Sequence, residues 1–147
     1  MLYGASPFLP QARDAVDLPL KPVMHLTSRL ISIQQRRRGD AIGYGGNWQC
    51  PQDMSVGVVA IGYGDGYPRV VDPQACVVIN NRRAPIVGRV SMDLLTVDLR
   101  AVEAHVGDEV TLWGAHGLGV DEIADSAGTI AYELLCRMYG HVQYIYT

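Results

Sequence analysis

The sequence predicts a mainly β domain, a small closed or partly open β barrel with one or two short helices near its C-terminus. Sixteen glycines and eight prolines cut the 147 residues into short apolar runs, the texture of strands and turns rather than of a helical bundle. Several of those runs alternate apolar and polar residues with the period of a strand. Helical patterning is confined to one region, between Val120 and Met138. The runs add up to about seven strands against two short helices.

The composition, 48% hydrophobic and 18% charged, is that of a folded globular chain with a core of its own. We expect a single domain over 1–147, with 1–22 an extended arm and 23–147 the β domain. A net charge of -3 leaves no basic footprint, so nucleic acid is not an expected partner. No stretch approaches the roughly 18 apolar residues of a membrane span, and no basic leader precedes an apolar run. Cys50, Cys76 and Cys136 are odd in number and far apart, which suggests neither a disulfide framework nor a zinc site and points to a reduced, cytoplasmic setting. The four histidines are scattered, so no metal site is expected. Lys21, between Pro19 and Pro22, is the only lysine.

Prolines at 7, 10, 19 and 22 keep the arm out of helix and central strand. Val23 to Ile33 alternates, as a strand does, and the run Arg36-Arg37-Arg38-Gly39-Asp40 reads as a solvated turn. In the next segment, AIGYGGNW, glycines surround Tyr44; without side chains to block it, another backbone or a ligand can come close, so Tyr44 is unusually accessible for a strand residue. Val58 to Gly62 reads as a buried strand that runs into a tight Gly-Asp-Gly turn, taken from this segment alone as a hairpin, with Tyr63 at its mouth where the rigid strand ends. Ala75 to Ile79, Asn80-Asn81 and Arg82 to Val87 read as a hairpin, since Asn tolerates the left-handed turn conformation. Gly88 to Asp98 reads as a strand interrupted at Ser91-Met92-Asp93, and Val110 to Trp113 as a short strand. Asp121 opens a first helix, Gly128 interrupts it, Thr129 caps a second that carries Tyr132 in its first turn, and His141 to Tyr146 alternates as a closing strand.

Taken together and in order, RRGDAIGYGGNW, VVAIGYGDGYPR, APIVGRVSMD, GDEVTLWG and GTIAYELLC resemble the C-terminal domain of bacterial alanine racemases. The resemblance covers nearly the whole chain and leaves no room for the N-terminal (β/α)8 barrel that, in the family, carries pyridoxal phosphate on a lysine. It implies a homodimer in which the barrel of one subunit and the C-terminal domain of the other share each active site, an amino-acid substrate, and D-alanine destined for peptidoglycan. The lone, proline-flanked Lys21 agrees with a chain lacking the cofactor lysine.

Each site residue is carried over by its place in a motif. Tyr44 matches the tyrosine that serves as base for L-alanine, opposite a lysine on the other face. A free phenol has a pKa near 10, so nearby positive charge must favour the phenolate; the resemblance implies that the barrel supplies it. Tyr63 matches the tyrosine narrowing the substrate entrance, and Met92 the residue whose backbone N–H holds the substrate carboxylate, with Asp93 beside it. Tyr132 matches the tyrosine that hydrogen-bonds the cofactor phosphate; Arg89 and Ile130 match positions lining the access corridor. The chain departs from the family at His141-Val142-Gln143, where an arginine-valine pair is usual. Two alternatives stay open: a racemase for serine or a broader set of amino acids, and a non-catalytic β interaction or dimerisation module.

Overall fold

The computed structural model describes residues 3–7, 20–138 and 141–146. Its strands are β1 (Leu26–Arg36), β2 (Ala41–Ile42), β3 (Trp48–Gln49), β4 (Met54–Val59), β5 (Cys76–Ile79), β6 (Arg82–Pro85), β7 (Leu95–Asp98) and β8 (Glu109–Trp113), followed by helices α1 (Val120–Ser126) and α2 (Ala131–Cys136). Six strands form one sheet in the order β6-β5-β8-β1-β4-β7, all neighbours antiparallel. Its two outer strands then meet through the Ile86–Val97 bridge and a Val87 N–H to Thr96 carbonyl bond of 2.9 Å. The expected barrel is therefore present, nearly closed, with one seam.

β1 is the staple of the barrel. Residues Leu26–Arg29 pair with β8 and Leu30–Arg36 with β4, with register shifts at both ends of the first half that let one strand bend from one neighbour to the other. The strand lies three residues downstream of the alternating run at 23–33, because the β4 ladder extends it through Gln34, Gln35 and Arg36 whatever their polarity. The β5–β6 hairpin forms as expected. Asn80 (φ 49°) and Asn81 (φ 60°) both occupy the left-handed region, the conformation whose twist matches that of the strands. Inside the barrel Trp113 stacks on Tyr67 at 5.9 Å and 14°, among Leu30, Val59, Val77, Ile79, Leu112 and other buried apolar side chains. β2 and β3 form a separate ribbon over a smaller core of Ile42, Cys50, Met54, Val56 and Val87.

Five local readings need correction. The run at 58–62 leaves the ladder after Val59, because the Ile61 N–H turns back to the Val59 carbonyl at 3.0 Å. Tyr63 then opens a single 3-10 turn, Tyr63–Asp65, rather than a hairpin. Of Gly88 to Asp98 only Leu95–Asp98 is strand: the N–H and hydroxyl of Ser91 both bond to the Leu94 carbonyl, curling 91–94 into a turn. Thr129 does not cap α2, since its N–H closes α1 on Ala124 and Ile130 is the N-cap. Residues 141–146 form no strand; Val142 packs on the core and the Tyr144 hydroxyl donates to Met138 O at 2.6 Å, so contact on one side gives the alternation without a ladder. Of the arm, the stretch 8–19 lies outside the described residues; the Val23 N–H bonds back to Tyr3 O at 3.3 Å.

Candidate active site

Tyr44 sits in the turn between β2 and β3, not in a strand, and is 75% exposed. Gly43 and Gly88 build that turn onto the rest of the molecule. A Cβ on Gly43 would lie 2.6 Å from Arg89 N, and one on Gly88 2.8 Å from Ile42 O, so the two backbones touch at a distance only glycines permit. The close approach expected around Tyr44 is thus made by the Gly88–Arg89 backbone. Asn47 completes the frame: with its amide assigned from its hydrogen bonds, Oδ1 accepts from Arg89 Nη2 at 2.9 Å and Nδ2 donates to Gly45 O at 3.1 Å. Beside this turn a groove of about 440 Å³ is lined by Asn47, Arg69, Val71, Pro85 and Arg89, among others.

Tyr63, Met92 and Asp93 come together through a second contact of the same kind. The Tyr63 and Gly64 N–H groups donate to the carbonyls of Ser91 (3.0 Å) and Met92 (2.7 Å). A Cβ on Gly62 would meet both carbonyl oxygens at 2.3 Å, and one on Gly64 would stand 3.5 Å from Asp93 Oδ1. Residues 88–94 therefore brace the Tyr44 turn at one end and the Tyr63 turn at the other. The Met92 N–H has no acceptor among the described residues, which leaves a backbone donor for an anion.

Ile130, the N-cap of α2, and Tyr132, in its first turn, lie on a different element. They are tied to the Tyr63 turn through the far end of that helix, where Gly66 (φ 99°) abuts Arg137 O. Five of the sequence-predicted residues leave apolar or aromatic surface in the open: Tyr44, Tyr63, Met92, Ile130 and Tyr132. Tyr67 is different, its phenol buried and its pKa pushed up by that burial, so it stays protonated and is no candidate base. Sequence reasoning passed over Asn47 and Asp65, which stand inside the quoted motifs; their contacts with Arg89 and His141 reach far along the chain. Among the described residues no cluster of three His, Cys, Asp or Glu could hold a metal, and no helix is long and apolar enough to cross a membrane.

The fold is thus a β-barrel domain whose turns present Tyr44 and Tyr63 at least partly exposed beside a Met92 N–H that has no acceptor among the described residues. The family described as "Alanine racemase, C-terminal domain" matches residues 23–146, and the chain belongs to that family. It is 51% identical over 147 residues to an alanine racemase of Piscirickettsia salmonis, spanning 99% of this chain and 87% of that protein. The biosynthetic alanine racemase of Pseudomonas aeruginosa superposes with a TM-score of 0.93 at 44% identity, covering 99% of this chain and 40% of that one. An alanine racemase of Bartonella henselae, solved with covalently bound pyridoxal phosphate, superposes at 0.85 with 27% identity, again over 99% and 40%. The chain thus spans about two fifths of the length of these solved structures.

Proposed function

We propose that this chain is the part of a cytoplasmic, homodimeric alanine racemase that supplies the base for L-alanine, Tyr44, to an active site completed by the (β/α)8 barrel of the partner subunit. The observation that carries this reading is the Tyr44 turn: a tyrosine three-quarters exposed, on a turn whose backbone is locked to Gly88–Arg89. A base must meet its proton at a fixed position, and this turn combines exposure with fixed placement. The residues present fit the rest of the site. The Met92 N–H, without an acceptor among the described residues, suits the substrate carboxylate, with Asp93 beside it. Tyr132, partly exposed at the start of α2, stands where the family motif has the tyrosine of the cofactor phosphate.

Pyridoxal phosphate, when bound on a lysine of the barrel, takes up the negative charge left as the α-proton departs. This chain's residues do the remainder. Met92 holds the carboxylate, so that the α-hydrogen of L-alanine faces Tyr44. Tyr63 narrows the approach, and Arg89 and Ile130 line it. The Tyr44 phenolate, favoured by positive charge from the barrel, accepts the proton on the L side and returns it when D-alanine reacts. The D-alanine formed feeds peptidoglycan. In the full-length enzyme Tyr44→Phe should lower racemisation by about 10²- to 10⁴-fold, the range for a positioned acid–base group. Rates within a few-fold of wild type in both directions would refute the assignment.

A further inference from the structure

The turn under Tyr63 has a role beyond carrying that side chain. Ser91 and Met92 share a peptide plane, and in a trans peptide the C=O and N–H point in opposite directions. The Ser91 carbonyl is held by the Tyr63 N–H at 3.0 Å, and the next carbonyl, Met92, by the Gly64 N–H at 2.7 Å. With both carbonyls drawn into the turn, the Met92 N–H is aimed away from it, and it meets no acceptor among the described residues. The turn itself is closed by one side chain. Asp65 Oδ2 accepts from the Gly62 N–H at 3.0 Å, while the Asp65 N–H returns to Gly62 O at 3.2 Å and Gly66 N–H to Tyr63 O at 3.2 Å. Gly62 must lack a side chain because a Cβ would stand 2.3 Å from the same two carbonyl oxygens.

We infer that Asp65 is the positioning residue for substrate-carboxylate recognition: by closing the Gly62–Gly66 turn, it orients the Ser91–Met92 peptide so that the Met92 N–H points at the carboxylate. Asp65 does not touch the substrate and acts only through this peptide. The inference rests on the proposed role of Met92 above. His141 Nδ1 lies 3.7 Å from Asp65 Oδ1, the other carboxylate oxygen.

The test uses the full-length, cofactor-loaded enzyme and propionate, a carboxylate without an amine to react. Dissociation constants are measured by calorimetry for wild type, Asp65→Asn, Asp65→Ala and Met92→Pro, alongside KM and kcat for alanine and amide hydrogen exchange over residues 89–95. Asp65→Ala should weaken propionate and raise KM by about ten-fold, the loss expected for one charge-assisted hydrogen bond, with kcat falling less than KM rises and faster exchange at 89–95. Asp65→Asn, which keeps an oxygen for the Gly62 N–H, should recover most of the affinity. If Met92→Pro weakens propionate but Asp65→Ala binds it as wild type does, the inference about Asp65 is overturned and the Met92 reading stands. If folded Met92→Pro binds propionate as wild type does, the Met92 reading itself fails. A loss in Asp65→Ala confined to kcat, with slow exchange retained at 89–95, also overturns the inference.

Discussion

Replacing Gly43 with alanine tests whether the placement of Tyr44 depends on the contact between the two glycine-bearing backbones. Two costs arise. Gly43 has φ +78°, a left-handed conformation that costs an L-residue about 1–2 kcal/mol. The new Cβ would also stand 2.6 Å from Arg89 N, against an ordinary contact that begins near 3.4 Å. Because the obstacle is backbone, the turn must retreat by 3.4 − 2.6 = 0.8 Å, and Tyr44 moves with it. A misplacement of about 1 Å at a reacting group costs on the order of 10²-fold in rate. Gly39→Ala is the control, with φ +88° and nothing within 4 Å of its Cβ, so it carries the strain without the clash. We expect Gly43→Ala to lose about two orders of magnitude in kcat/KM in the full-length enzyme, and Gly39→Ala to stay within about two-fold of wild type. The assay is alanine racemisation together with α-hydrogen exchange in deuterated water. A folded Gly43→Ala enzyme of near wild-type rate, or equal losses in the two variants, would refute the reasoning.

Other consequences follow from packing and charge. Leu30→Ala removes a fully buried side chain where β1 passes from one partner to the other, and should destabilise by about 3–5 kcal/mol, read as a lowered unfolding temperature. Arg100 grips Asp98 through Nε (2.8 Å) and Nη2 (2.6 Å) while that carboxylate is only 6% exposed. Arg100→Leu strands a buried charge and should cost about 3 kcal/mol, whereas Asp98→Asn with Arg100→Leu together should recover part of it in denaturant titrations. Glu122→Gln breaks the half-exposed pair with Arg83 and should change stability by less than about 1 kcal/mol; a larger drop in unfolding temperature would contradict that. The Asp108 carboxyl is held below its ordinary value by the His105 backbone N–H and then the Asn80 side chain. Its folded pKa is depressed, so its contribution is present above the unfolded value, near 3.9, and is lost as pH falls through the folded one. Unfolding of Asp108→Asn should therefore be less steeply dependent on pH than wild type below about pH 4, and identical acid profiles would rule this out.

Much of the local structure was legible from neighbouring residues alone. Asn80-Asn81 specifies its hairpin because both residues accept positive φ, a property of the side chains themselves. Gly128 separates α1 from α2 at φ +67° for the same kind of reason. The motif residues Tyr44, Tyr63, Met92, Asp93, Arg89, Ile130 and Tyr132 stood out in the sequence, but only as separate points. Where local pattern misled, a distant hydrogen bond had overridden it: the ladder with β4 carried β1 through polar residues, and the Thr129 N–H served α1 instead of opening α2.

The sequence by itself determined the β class, the hairpin, the helical region and the glycine-framed tyrosines, because each depends on backbone preferences and periodicity within about ten residues. Only the tertiary structure decided that the Tyr44 turn rests on Gly88–Arg89 and that the Tyr63 turn holds the Ser91–Met92 peptide. Those contacts join segments about 45 and 28 residues apart in the chain, and no local propensity encodes them. They exist because β1 bends between two neighbours and the outer strands meet at Ile86–Val97, closing the barrel so that both turns converge on the segment from Gly88 to Leu94.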